Sequence, residues 1–326
     1  MINDKEFLKF EEGFFKPHFE KFIEFKRGKG EKVAQSTMIR LRKLNNALNS
    51  YHVNHISEQM VEALLAPHDG LSESERQYTS SSLRQFCSFL TLLGIDSAVV
   101  PPRYMRVARS EFRPYIFSDD ELHRLTRAAD TLPAARRSNT HQQVYPVLVR
   151  FLIGTGMRIG EVLALTRADV DSSDGMINVI NGKNGVARFI PVSDSLKEVL
   201  RGYAETIDMS DEEKPFFTSS YTGGHLTYDA MKYMFPKIFK TAGIYKADGK
   251  TPNIHSIRHT FCTRSLEKML GCGMDVYTAI PILAAYVGHV NYMDTEKYIH
   301  FTEQGHEDFV KKEASLGNLF PEVDNE

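Results

Sequence analysis

Gly288-His289-Val290-Asn291-Tyr292-Met293-Asp294-Thr295-Glu296-Lys297-Tyr298 closes an apolar helical pattern with a Gly-His pair and, nine residues after the histidine, a tyrosine. Upstream lie three more groups that share its chemistry. They are His255-Ser256-Ile257-Arg258-His259, a lone lysine in Gly182-Lys183-Asn184-Gly185, and Thr155-Gly156-Met157-Arg158-Ile159-Gly160-Glu161. Two arginines, a lysine, two histidines and a tyrosine suit the displacement of an alkoxide from a phosphodiester by a phenol. Such a reaction needs no nucleotide cofactor and no metal.

Each residue type answers a demand of that chemistry. A phosphodiester under attack develops charge on its non-bridging oxygens, and a guanidinium holds two oxygens in its planar fork. Arg158 and Arg258 are far enough apart in sequence to approach one phosphate from two sides. Gly156 and Gly160 flank Arg158 and are expected to let backbones come close. Glu161 orients the Arg158 guanidinium or forms a helical ion pair with it. His255, Arg258 and His259 fall at i, i+3 and i+4 and share a helix face. Zinc is the rival reading of His255, His259 and Cys262, but Ser256 stands where a metalloprotease helix requires glutamate. A free phenol titrates near ~10, so Tyr298 needs neighbouring cations or a base. The arginine pair and His255 can supply both. The leaving 5' oxygen is a strong base, and Lys183 at a hairpin tip suits the general acid.

The order and spacing of these residues resemble the tyrosine recombinases, the phage integrase family, over about Phe117 to Thr302. The resemblance implies a catalytic set of Arg158, Lys183, His255, Arg258, His289 and Tyr298, supported by Glu161 and His259. His289 would donate a hydrogen bond to the phosphate, and no metal ligand or cofactor is implied. The reaction would be two successive transesterifications through a 3'-phosphotyrosyl link, as in site-specific recombination, integration and transposition of mobile elements. Two alternatives are a type IB topoisomerase and an idle DNA-binding regulator of the same fold. The helical N-terminal half and the His289–Tyr298 spacing weigh against the first, and the complete catalytic set against the second.

Composition fits such a protein without demanding it. The chain has 326 residues, 42% hydrophobic and 25% charged, enough for two cores. Three widely spaced cysteines, Cys87, Cys262 and Cys272, make no disulfide framework and point to a reducing cytoplasm. No signal peptide and no apolar run of the ~20 residues that cross a bilayer is present. A net charge of −2 argues mildly against nucleic-acid binding, yet the charges are unevenly spread. Lys26, Arg27, Lys29, Lys32, Arg40, Arg42 and Lys43 crowd one stretch whose only acid is Glu31, while the tail beyond Gln304 is acidic. Lys26, Arg27, Lys29, Lys32, Arg40 and Lys43 are the expected DNA contacts.

Periodicity predicts a mostly α chain, a helical N-terminal domain followed by an α+β domain with a small antiparallel sheet; the family resemblance implies that the first is a core-binding domain and the second the catalytic domain. The N-terminal helices are expected around Phe19 to Phe25, Ser36 to Tyr51, His55 to Leu65 and Tyr78 to Leu93. The domains are placed at 1–102 and 117–310, with a linker at 103–116 and a tail at 311–326. Ser118 with Glu121 reads as a capping box, which explains the acids Asp119 and Asp120 without a metal. Strands are expected at Met176 to Asn181 and Val186 to Val192. Roughly 110 residues ahead of the catalytic domain suggest the two-domain kind, without an arm-binding domain. The expected partner is double-stranded DNA with inverted half-sites, bound by a homotetramer whose protomers are monomeric when free and do not engage membranes.

Overall fold

The computed structural model describes residues 9–31, 33–67, 72–101, 114–134, 140–180, 187–219 and 222–289, together with Thr295 and Tyr298. The chain divides into two compact units, Met1–Phe112 and Arg113–Glu326.

The first unit is a helical bundle of α1 (Lys16–Gly28), α2 (Gln35–Asn49), α3 (Glu58–Leu65) and α4 (Glu73–Leu92). Phenylalanines at helical spacing make its core. Phe19 of α1 lies flat on Phe86 of α4 at 3.7 Å, and Phe15 and Phe22 meet the same ring edge-on. The last helix begins earlier than its apolar period suggested. Ser72 and Glu75 form a reciprocal capping box that starts it at Glu73. It stops at Leu92, and Gly94 follows with a φ of 74°.

The second unit begins with α5 (Asp119–Asp130), which opens on the Ser118–Glu121 capping box. It continues through α6 (Thr140–Gln143), α7 (Tyr145–Thr155) and α8 (Ile159–Ala164). A meander follows: β1 (Val170–Asp171), β2 (Met176–Val179) and β3 (Arg188–Pro191), all antiparallel, with Ile177 paired to both Val170 and Ile190. The strands are shorter than their sequence pattern, and β1 is an addition to it. Ile177, Val179 and Ile190 turn inward while Phe189 faces out, the alternation of a one-sided sheet. Helices α9 (Asp194–Ala204), α10 (Tyr228–Thr241), α11 (His255–Gly271) and α12 (Val276–Val287) follow among the described residues. Ser193 caps α9 and Thr227 caps α10.

Helix α11 has almost no amphipathic pattern because its first half is enclosed all round. Ser256, Ile257, Arg258, His259, Thr260, Cys262 and Thr263 are all buried. Enclosing that many polar groups is costly unless each is partnered. Arg258 finds its partners at the ends of α7 and α12 and His259 at Tyr298, while Ser256 bonds to Asn253 and Thr260 to Ser256 and Phe117; Thr263 Oγ1 has none among the described residues.

Candidate active site

Two left-handed glycines shape the site. Gly156 (φ 59°) ends α7, and Gly288 (φ 67°) ends α12. A Cβ on Gly156 would lie 2.3 Å from the Phe261 ring, and one on Gly288 would lie 2.7 Å from the Arg188 guanidinium. Both turns therefore need glycine for backbone and for space. Gly160 is different: a Cβ there meets nothing, so the close approach expected at that glycine is absent.

Arg158 stands at the N-cap of α8 in extended backbone, one residue ahead of the helix on which the pattern had placed it. Its Nη1 donates to the Glu161 carboxylate at 3.0 Å and to the Gly288 carbonyl at 3.1 Å. Glu161 is buried and also accepts from Arg188 Nη2 at 2.8 Å. Burial pushes the Glu161 carboxyl up, but the bond and charge of Arg188, with the charge of Arg158, outweigh it and hold the pKa below the usual range. Arg188 in turn donates from Nε to the Tyr286 carbonyl at 2.9 Å. One carboxylate thus ties α8, β3 and the end of α12 together. In the sequence Arg188 is one residue of the strand expected at Val186 to Val192. Its five-residue distance from Lys183 gave no sign of the Glu161 contact.

Arg258 is 2% exposed. Its Nη1 donates to the Gly156 carbonyl at 2.9 Å, and its Nη2 to the Val287 carbonyl at 2.8 Å and to His289 Nε2 at 2.9 Å. Its Nε–H is buried with no hydrogen-bond partner among the described residues. Burial lowers the Arg258 pKa, aided by Arg158 and opposed by Cys262, Tyr298 and Glu161. An arginine starts high enough to stay charged. Because Arg258 can only donate, His289 Nε2 accepts, and the ring proton sits on Nδ1, which donates to Thr295 Oγ1 at 2.7 Å.

Tyr298 is 1% exposed and packs with Cys262, Leu266, Leu283 and Val287. Its hydroxyl lies 3.0 Å from His259 Nδ1 and also hydrogen-bonds with Cys262. Burial drives the phenol's pKa far above its ordinary value, and Cys262 adds to this. Arg258 and Arg158 pull it down. His255, exposed at the start of α11, stands edge-on to His259 with ring centres 4.6 Å apart. Tyr286 is otherwise engaged: its hydroxyl donates to the Pro191 carbonyl at 3.3 Å and burial raises its pKa to about 12. Arg158, His255, Arg258, His259, His289 and Tyr298, with Glu161, therefore form one connected cluster. Lys183 and Tyr292 lie outside the described residues.

Among the described residues, no group of three or more His, Cys, Asp or Glu side chains is placed to hold a metal ion. His259 and Cys262, two members of the rival zinc reading, both address the phenol instead.

In the first unit, Lys26 is half-buried, reaches Glu31 and Gln85, and lies over the Phe22 ring. Arg40 stacks on Tyr78 and donates to Ser82. Arg27, Lys29 and Lys43 are exposed, Lys29 resting over Phe25. Lys32 lies outside the described residues.

Two arginines, three histidines and an enclosed tyrosine are thus gathered on a mostly helical scaffold. Residues 116–304 match the model of the phage integrase family. The chain belongs to the phage integrase family, the tyrosine recombinases, and is a site-specific recombinase by class. It is similar to the integrase/recombinase y4rB of Sinorhizobium fredii (strain NBRC 101917 / NGR234), 26% identical over 87% of this chain and 92% of that protein. Tyrosine recombinase XerC of Staphylococcus carnosus (strain TM300) is 27% identical over 72% of this chain and 73% of its own length. Among solved structures, the Tn1549 transposon integrase in complex with transposon right end DNA superposes with a TM-score of 0.63 at 19% identity. It covers 90% of this chain and 98% of that one. XerH bound to palindromic difH substrate, a post-cleavage complex, gives 0.62 at 18% identity over 85% of this chain and 78% of that one. At these identities the structures speak for the fold. The N-terminal helical unit and the sheet-bearing second unit are this family's mostly α architecture with a small antiparallel sheet.

Proposed function

We propose that Tyr298 is the nucleophile, that Arg158 and Arg258 hold the non-bridging oxygens of the scissile phosphate, and that Lys183 protonates the leaving 5' oxygen. The observation that carries this reading is the convergence on one cluster of Arg158, Arg258, His289 and Tyr298 from four separate stretches of chain. The Arg258 Nε–H supports it too. A buried donor left without a partner costs about 1–3 kcal/mol, and a phosphate oxygen would satisfy it. Attack by Tyr298 leaves a 3'-phosphotyrosyl link and a free 5' hydroxyl. The 5' hydroxyl of a partner strand then attacks that link, so the phosphodiester energy is conserved without ATP.

The DNA partner is read as a duplex with two inverted half-sites. Four protomers assemble on a pair of such sites and are separate when free. The apolar residues of the tail, Phe309, Val310, Leu316, Leu319 and Phe320, lie outside the described residues; their assigned role in this reading is to contact a neighbouring protomer.

The test begins with covalent capture. Wild-type protein is mixed with a random duplex library in a chelating buffer, and protein–DNA adducts recovered under denaturing conditions give the site. On a nicked duplex of that site the wild type should accumulate adduct and Tyr298→Phe none. Lys183→Ala should cleave only when sulfur replaces the leaving 5' oxygen, because a thiolate departs without a proton. Adduct formation by Tyr298→Phe would overturn the assignment. Relaxation of plasmids without joining of two sites would mark a topoisomerase.

A further inference from the structure

We infer that His259 takes the proton from Tyr298 as it attacks and returns it when the phosphotyrosyl link is resolved. The inference rests on the assignment of Tyr298 as nucleophile. His259 Nδ1 is in hydrogen-bond contact with the phenol oxygen, at 3.0 Å. A general base must lie within such reach of the proton it removes. His289 is committed elsewhere, with Nε2 on Arg258 and Nδ1 on Thr295.

The environment makes a base necessary. Burial and Cys262 keep the phenol protonated, and the charges of Arg258 and Arg158 only partly offset this. For His259 to act in this way the phenol O–H points to Nδ1 and the resting ring proton lies on Nε2, one of the two tautomers that the contact permits. In cleavage the Oη–H bond breaks and an Nδ1–H bond forms. The released electron pair makes the Oη–P bond, the P–O5' bond breaks, and its pair is protonated by Lys183. In resolution the incoming 5' hydroxyl forms the new P–O bond and surrenders its proton to Lys183. Oη leaves phosphorus with its electron pair and takes the proton from His259 Nδ1. Both groups end as they began.

Helix geometry explains why this residue can serve. His259 and Cys262 are three positions apart, so both face the phenol from one side of α11. Arg258, one residue earlier, points toward the α7 and α12 carbonyls. One step along the helix, a rotation of about 100°, thus separates the phosphate-binding cation from the proton acceptor.

The experiment uses the full-length protein and the nicked duplex recovered by covalent capture. His259→Asn is the informative variant, because an Asn side chain puts a hydrogen-bonding atom near the Nδ1 position but cannot take a proton. Single-turnover cleavage should fall by about 10²–10⁴-fold while duplex binding stays at the wild-type level. Replacing Tyr298 with a difluorotyrosine, whose phenol is more acidic, should restore part of the rate in His259→Asn. Cleavage by His259→Asn at the wild-type rate overturns the inference, as does a loss that the difluorotyrosine leaves unrepaired. Should His259→Asn fail to fold, nitrogen-15 NMR of the wild-type histidines decides. A proton on Nε2 with Nδ1 bare supports the inference, and a proton on Nδ1 overturns it. Failure here with Tyr298→Phe still inactive leaves the nucleophile assignment standing, so the two claims fail separately.

Discussion

At the scale of single residues, Glu161 is the side chain on which the site's electrostatics depend. It is enclosed between Arg158 and Arg188, and removing one partner of a buried pair leaves an uncompensated charge. Glu161→Ala should therefore destabilise the protein by about 3–5 kcal/mol, read as a lower midpoint in urea unfolding, and should weaken cleavage through displacement of Arg158. The sign with pH follows from its depressed pKa. The stabilisation is complete above the unfolded carboxylate range and is lost as pH falls below that range and through the lower folded-state pKa. Glu161→Gln should flatten that acid limb; an acid limb as steep as the wild type's would show that other carboxylates set it. Much of this cluster was legible in the sequence as residue types. Arg158, His255, Arg258, His289 and Tyr298 announce themselves because phosphoryl chemistry needs few residue kinds. The contacts were less legible. Nothing in a 39-residue separation told that His259 would meet Tyr298, nor that Arg188 would share Glu161 with Arg158.

At the scale of elements, two helix ends make the pocket, and glycine is required at both. Gly156→Ala and Gly288→Ala should each destabilise by about 1–2 kcal/mol from the left-handed backbone alone, and by more from the contacts with Phe261 and Arg188. Gly160→Ala should be neutral or slightly stabilising, since its Cβ meets open space in a helix. Thermal unfolding of the three variants checks the order, and a Gly160→Ala variant as damaged as Gly156→Ala would contradict it. Helix starts were legible where a capping box signals them. Ser118 with Glu121 shows this, and Ser72 with Glu75 carried the same signal for α4, outweighed by an apolar period that begins later. The strand β1 was beyond reach: two residues are too few to show alternation, and tertiary pairing with Ile177 makes the strand.

At the scale of the whole molecule, the net charge of −2 conceals a basic stretch and an acidic tail, and the side-chain contacts rank the basic residues. Lys26 is engaged with Glu31 and Gln85, whereas Arg27 and Lys29 are exposed. Alanine at Arg27 or Lys29 should lower the salt dependence of DNA binding by about one unit of slope per lost phosphate contact; Lys26→Ala should change it less. An unchanged slope in Arg27→Ala and Lys29→Ala would mean that this face is turned to solvent. Deleting residues from Ser315 onward should spare DNA binding and reduce joining of two sites, and recombination at the normal rate would remove the tail from the assembly. The most direct measurement concerns the covalent bond itself. Adduct formed on the captured duplex is digested with protease and nuclease, and the modified peptide is sequenced by mass spectrometry. The nucleotide should be attached through its 3' phosphate to the oxygen of Tyr298; a nucleotide on Tyr286 or Tyr292, or attachment through a 5' phosphate, would contradict the account.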